Sequence, residues 1–404
     1  MLIRKPFLFR ALLLAGLCFG MPDMMVPVKA CPFCSAPSQT LTEQLCGADA
    51  AILVQWIGGD PAEKGKPNSY GTTRYEIVEV MHDSTSMLRK EDRITLDRYR
   101  VSKKGDLFVL LATKGQIMLD WGSPLAVTET TYNYLKQAPK PEAPASERLT
   151  YFMKFLEFSD EVVSADAYGE FAKVPYKDLV PLADKMPREK LRKWITDPAV
   201  SPLRIGLYGM MLGHCGKAED ADFLKEKILS PLKEQAPGVL EYRLGIDGVI
   251  AGFLMLTGDE GLKLIEESKL KDKTVAFNET YAAMQAMRFL WSEEKARFTE
   301  DRLRQAMRLL LDRKELADLV INDLARWEDW AVVDQLKQLY DAPGYTEPPV
   351  RRAIARFLLI ADRKRKSLKG EIPKPLETAH DYLAELRREE PQIVKDAEKY
   401  LFFN

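Results

Sequence analysis

The sequence predicts an α+β protein, with a small β-domain near the N-terminus followed by a larger α-helical repeat region. Three observations carry this prediction. Between Ala50 and about Trp121 the apolar residues follow the two-residue period of strands. After about Leu149 they recur with the 3.6-residue period of helices. Between the two regimes, Gln137 to Ser146 holds Pro139, Pro141 and Pro144, which favour an extended chain over helix or ladder. The expected layout is a leader over 1–30, a β-domain over 31–135, a Pro/Ala linker over 136–148 and helical repeats over 149–404.

The leader has the parts of an export signal in order. Arg4, Lys5 and Arg10 precede the short apolar stretch Ala11 to Gly20, and Val28 and Ala30 sit where a signal peptidase reads. Cleavage after Ala30 leaves Cys31 as the first residue of a secreted or periplasmic protein. Val28-Lys29-Ala30-Cys31 also has the outline of a lipoprotein box, with Lys29 where a small uncharged residue is usual. A spanning helix needs roughly 20 apolar residues, and runs such as Leu107 to Ala112 and Val249 to Leu256 have only core length. Lys and Arg number 59 against 60 Asp and Glu, so no basic excess points to nucleic acid. The run Arg363 to Lys366 reads as a solvated loop between helices.

Five strands are expected, at Ala50 to Ile57, Thr73 to Val80, Arg93 to Asp97, Asp106 to Ala112 and Gln116 to Trp121. Gly58 to Gly71 is polar and reads as a long hairpin loop, and Lys103 to Asp106 and Lys114-Gly115 mark turns. Short strands at this density suggest a small barrel or sandwich. In the helical half, Pro187 opens a helix that runs through Trp194. Helix ends recur at Gly216, Gly258, Ser292, Glu328 and Asp362, spaced by 42, 34, 36 and 34 residues. Second helices fall between them at Ala221 to Ile228, Gly261 to Glu267 and Arg302 to Leu311. A two-helix unit of this length buries its apolar face only by stacking on neighbours. With basic residues at Arg204, Arg243 and Arg352, the pattern resembles HEAT-type repeats. That resemblance implies an α-solenoid, whose extended surface binds other proteins.

Chemistry concentrates in the cysteines. Beyond the leader these are Cys31, Cys34, Cys46 and Cys215, which admit three complete disulfide pairings. Cys31 and Cys34 read as a disulfide fastening an N-terminal arm, as a thiol-redox pair or, with Cys46, as ligands of a soft metal such as zinc or Cu(I). Cys215 fits a buried core position. Hydrolytic chemistry finds no motif: the three histidines His82, His214 and His380 lie in different segments, and no nucleophile elbow, zinc-protease helix or phosphate loop occurs. Trp327 and Trp330 flank an acidic pair and read as interface anchors or as packing between repeats.

The run Cys31-Pro32-Phe33-Cys34-Ser35, the segment Cys46-Gly47-Ala48-Asp49 before a first strand, and Tyr75 to Val80 together resemble the netrin/metalloproteinase-inhibitor module. That resemblance implies an OB-type barrel, with Asp106 to Ala112 as a later strand. It also implies a Cys31 whose amine and carbonyl chelate the zinc of a protease. Here the spacing is Cys-x-x-Cys where that family has Cys-x-Cys, and Pro32 replaces a small residue. The whole chain is similar to exported bacterial proteins that join a Cys-Pro-x-Cys start to helical repeats, most clearly from Leu203 to Gly216. The expected role is a cofactor-free, non-enzymatic binding or scaffold protein whose helical surface engages a protein partner. The alternatives are thiol-redox or soft-metal handling at Cys31, Cys34 and Cys46, and metalloenzyme inhibition through Cys31.

Overall fold

The structure is a computed structural model that describes residues 31, 33–34, 39–63, 70–116 and 118–399. The leader and its cleavage point lie outside the described residues. The chain is mixed α+β, with a small antiparallel sheet near the N-terminus and a helical region after it.

The sheet contains β1 (Ala50–Asp60), β2 (Thr72–Asp83), β3 (Arg93–Leu96), β4 (Leu107–Lys114) and β5 (Leu119–Trp121), in the order β3-β2-β1-β4-β5. The short β6 (Leu125–Ala126) also pairs with β4. All pairings are antiparallel. The expected barrel is not closed: β3 and β5 are the edges, and no ladder joins them among the described residues. These edge strands have four and three residues, too few to tilt across and pair. Register shifts at three points interrupt the β1–β2 ladder, the kind of irregularity that bends a strand. The sheet's inner face encloses a small core of Ile52, Val54, Tyr75, Ile77, Phe108 and Leu110. Its outer face sends Leu53 and Val109 into the main helical core. Cover on both faces explains why β1 opens as an unbroken apolar run.

β1 also continues through Gly58 and Gly59, where the sequence suggested a loop. A Cβ on Gly59 would stand 2.8 Å from the Thr72 carbonyl oxygen, so glycine here permits close approach of β2 and the strand goes on.

The helices are α1 (Leu41–Gly47), α2 (Glu129–Gln137), α3 (Ala145–Phe152), α4 (Glu161–Lys173), α5 (Tyr176–Leu179), α6 (Arg188–Thr196), α7 (Pro202–Cys215) and α8 (Ala218–Leu229). Next come a hairpin of β7 (Glu234–Ala236) and β8 (Val239–Leu240), then α9 (Ile246–Ile265), α10 (Phe277–Glu293), α11 (Glu300–Arg308) and α12 (Ala317–Arg326). α13 (Val333–Tyr340), α14 (Pro348–Ser367), α15 (Lys374–Glu389) and α16 (Pro391–Lys399) complete the described chain. Gly216 caps α7, and Gly258, at φ 60°, breaks α9 where a helix end was expected. Asp362 does not end a helix, because α14 runs on to Ser367 and takes in Arg363 to Lys366. Its last turn, which favours cations, places Lys364 on Glu328 at 2.7 Å and Lys366 on Asp362 at 2.7 Å.

Two kinds of joint hold the helices together. Gly206, Gly209 and Gly213 of α7 face Gly245, Gly248 and Gly252 at the start of α9, in identical spacing. A Cβ on Gly248 would lie 2.1 Å from the Gly206 carbonyl oxygen, and one on Gly252 2.0 Å from that of Gly209. Further along, side chains bridge positions about one repeat apart. Arg243 binds Glu279 across 36 residues, Arg288 binds Asp323 across 35, and Arg356 binds Asn322 across 34.

The strand region joins the helices through α4. Asp166 accepts from the Leu41 amide at 2.6 Å and from the Tyr134 hydroxyl at 2.8 Å. Glu170 accepts from the Thr40 hydroxyl at 2.5 Å and pairs with Arg148, just after the proline segment.

Candidate functional site

Cys31 and Cys34 form a disulfide, with Cα atoms 5.4 Å apart. The Cys34 amide donates to the Cys31 carbonyl at 3.3 Å, closing a tight turn. This turn rests on the helices. The Cys31 amide donates to the Ala172 carbonyl of α4 at 3.2 Å. The Phe33 ring lies 4.9 Å from Phe289 of α10. A Cβ on Gly206 would approach the Phe33 carbonyl oxygen to 3.0 Å, so that glycine makes room for the arm as well as for α9. Cys31 is 4% exposed. Its nitrogen and oxygen, the two atoms that zinc chelation would use, are both engaged within the fold.

Cys46 does not join this pair. It is exposed in the last turn of α1, with a free thiol raised above its usual pKa by burial and by nearby Glu142. Among the described residues, no group of three or more His, Cys, Asp or Glu side chains is placed to hold a metal ion. Cys215 is half-buried and free, and burial pushes its thiol up to about 11. Burial likewise holds the neighbouring His214 down at about 4. The His214 ring hydrogen-bonds the Tyr176 hydroxyl at 2.7 Å, and that hydroxyl donates to Glu294. Both shifts favour the neutral imidazole and the neutral thiol.

The two tryptophans pack between helices. Trp327 is 4% exposed and stacks on Trp291 with ring centroids 4.3 Å apart. Trp330 meets Phe357 edge-on at 5.4 Å.

The distinctive surface lies beside the arm. Phe33 and Cys34 form one wall of a cleft of about 210 Å³. The start of α9 and the face of α10 form the others, contributing Asp247, Asn278, Tyr281 and Gln285. Leu203, Tyr242 and Leu244 rim it, exposed by 49%, 62% and 39%. Beside them the β7–β8 hairpin exposes Val239 and Leu240. Asp247 accepts a hydrogen bond from the Gly248 amide at 2.9 Å. Burial raises its carboxyl above the usual aspartate value, partly offset by that amide.

The rim residues were not singled out from sequence, although a signal exists. From Val239 to Leu244 the chain alternates, with Leu240, Tyr242 and Leu244 on one side and Glu241 and Arg243 on the other, after the turn pair Pro237-Gly238. A strand-like stretch inside a helical region is a break in pattern.

No protein-family model, curated protein or solved structure matches the chain.

Proposed function

We propose that this chain is an exported polypeptide-binding protein whose partner docks on the apolar rim of the cleft beside Cys34. One observation carries the reading: large apolar side chains stand exposed on the cleft rim, on Leu203, Tyr242 and Leu244, and Val239 and Leu240 are exposed just before them in the chain. Leaving them in water forgoes about 25 cal/mol for each Å² of apolar surface that a partner would cover. The cleft walls are well held, by the arm on one side and the α7–α9 contact on the other. A rigid site loses less conformational freedom on binding.

The rest of the proposal concerns context. Export through cleavage after Ala30 agrees with the Cys31–Cys34 disulfide, since disulfides persist in oxidising compartments. The sheet is read as an OB-like barrel left open between β3 and β5. The helices are read as HEAT-like pairs, supported by the 34- to 36-residue separation of their bridging side chains.

The test is selection from a random 15-residue peptide library on the immobilised full chain, followed by affinity measurement on the enriched peptides. The reading expects peptides with apolar side chains. It also expects Tyr242→Glu with Leu244→Glu to weaken their binding at least tenfold, while Val101→Glu on the exposed strand-region surface leaves it unchanged. Enriched peptides that bind the double variant as tightly as the parent would refute it.

A further inference from the structure

Three features meet in the cleft beside the arm, and docking alone accounts for only one of them. The first is the asymmetry of the disulfide. Cys34 is half-buried and lines the cleft, whereas Cys31 is 4% exposed and anchored to Ala172. Of the two cysteines, Cys34 is therefore the one that a group entering the cleft can approach. The second is Asp247, also in the cleft lining, which has no basic side chain as a hydrogen-bond or ion-pair partner among the described residues. Arg243 beside it is turned to Glu279 and to the carbonyls of Lys227 and Ile228. The third is the apolar rim of Leu203, Tyr242 and Leu244.

We propose that the Cys31–Cys34 disulfide exchanges with a pair of cysteine thiols on the docked polypeptide, with Cys34 as the sulfur attacked and Asp247 as the acceptor of the incoming thiol's proton. The proposal rests on the docking reading and names the chemistry of the docked segment: cysteine flanked by apolar residues. The thiolate is the nucleophile in such exchange. The first substrate thiol passes its proton to the Asp247 carboxylate, and its sulfur forms a bond to Cys34 Sγ. The Cys31–Cys34 bond breaks, and its electron pair leaves on Cys31 Sγ, which takes a proton. The second substrate thiol then attacks the substrate sulfur of the mixed disulfide, the sulfur–sulfur bond to Cys34 breaks with its electron pair leaving on Cys34 Sγ, and the proton given up by that thiol passes to Cys34, released as a thiol. The substrate dithiol loses two electrons and two protons, and the protein disulfide gains both. One passage needs no other oxidant.

The experiment mixes the oxidised full chain with the monothiol peptide acetyl-Leu-Cys-Tyr-amide or with glutathione, quenches in acid, alkylates, and maps adducts by mass spectrometry. The expected result is a mixed disulfide on Cys34 with the alkyl group on Cys31, formed at least ten times faster with the peptide than with glutathione. Tyr242→Glu with Leu244→Glu should bring the peptide rate down to the glutathione rate. Asp247→Asn should slow both reagents at least fivefold at pH 7, and Asp247→Glu should recover part of the loss. Adducts on Cys31, equal rates for peptide and glutathione, or no adduct under conditions where dithiothreitol reduces the bond would each overturn the exchange. If library peptides still bind the rim while no adduct forms, docking stands and exchange falls. If neither occurs, both fall.

Discussion

The contact between α7 and α9 and the contacts among α9, α10 and α12 join helices at a similar repeat distance by opposite means. In the first, glycines bring two backbones together with no side chain between them. In the second, buried carboxylates collect cations: Glu279 holds Arg243 and Lys269, and Asp323 holds Arg288 at 2.6 Å. The glycine joint tolerates no added atom, whereas the ionic joint tolerates no missing charge. The difference bears on function because the arm, the cleft and its apolar rim all border the glycine joint. A seam without slack fixes Gly206 against Phe33 and against Gly245 at the start of α9.

The ionic joint gives the largest effect. Glu279 is 1% exposed, so Glu279→Ala leaves the buried Lys269 and the largely covered Arg243 without their carboxylate and should cost about 3–5 kcal/mol in urea unfolding. A loss below about 1 kcal/mol would show that these charges reach water unaided.

Gly252→Ala tests the glycine joint. Its new Cβ meets the Gly209 carbonyl oxygen at 2.0 Å, and separating the helices should cost about 3 kcal/mol, the upper end for overpacking. Gly47→Ala, with open space around it, is the control and should change stability by less than about 0.5 kcal/mol.

The joint between the strand region and α4 differs again, and pH reads it. Burial, with the nearby Glu170 and Glu43 charges, raises the Asp166 carboxyl to about 6 from 3.8, against the pull of the Tyr134 and Leu41 hydrogen bonds. The folded protein therefore binds the extra proton between those values. This group's contribution to stability grows as pH falls through 6 toward 4 and is lost as pH rises back through 6. Against Asp166→Asn, which lacks the titration, the wild type should show a relative gain on the order of 2 kcal/mol over that window in pH-dependent unfolding. Parallel profiles would contradict the assignment.

The smallest effect belongs to the rim. Tyr242→Glu with Leu244→Glu touches exposed side chains and should move the folding midpoint by less than about 0.5 kcal/mol per site. A large loss would mean that these residues support the fold rather than a partner.

The two regimes of the fold were legible in the sequence because each follows a single period. All five expected strands form, and Gly216 and Gly258 interrupt the helices as read. Closure of the sheet was not legible, since it depends on the reach of β3 and β5 rather than on alternation. The end assigned at Asp362 failed because nothing there stops a helix: the next breakers are Gly370 and Pro373. Pairing of Cys31 with Cys34 was one option among several, and sequence spacing could not choose it. The arm's seat on α4, α7 and α10 is a tertiary contact with no local trace. The matching glycines of α7 and α9 were visible as letters, but their meaning appears only when the two helices touch.

Hydrogen exchange on the full chain, with and without a library-selected peptide, tests the central claim most directly. Binding should slow exchange at 239–247 and at the start of α7 around Leu203, and leave the strand region and α12–α15 unchanged. Slowed exchange confined to the sheet or to the helices after α11 would place the binding face elsewhere and contradict the account.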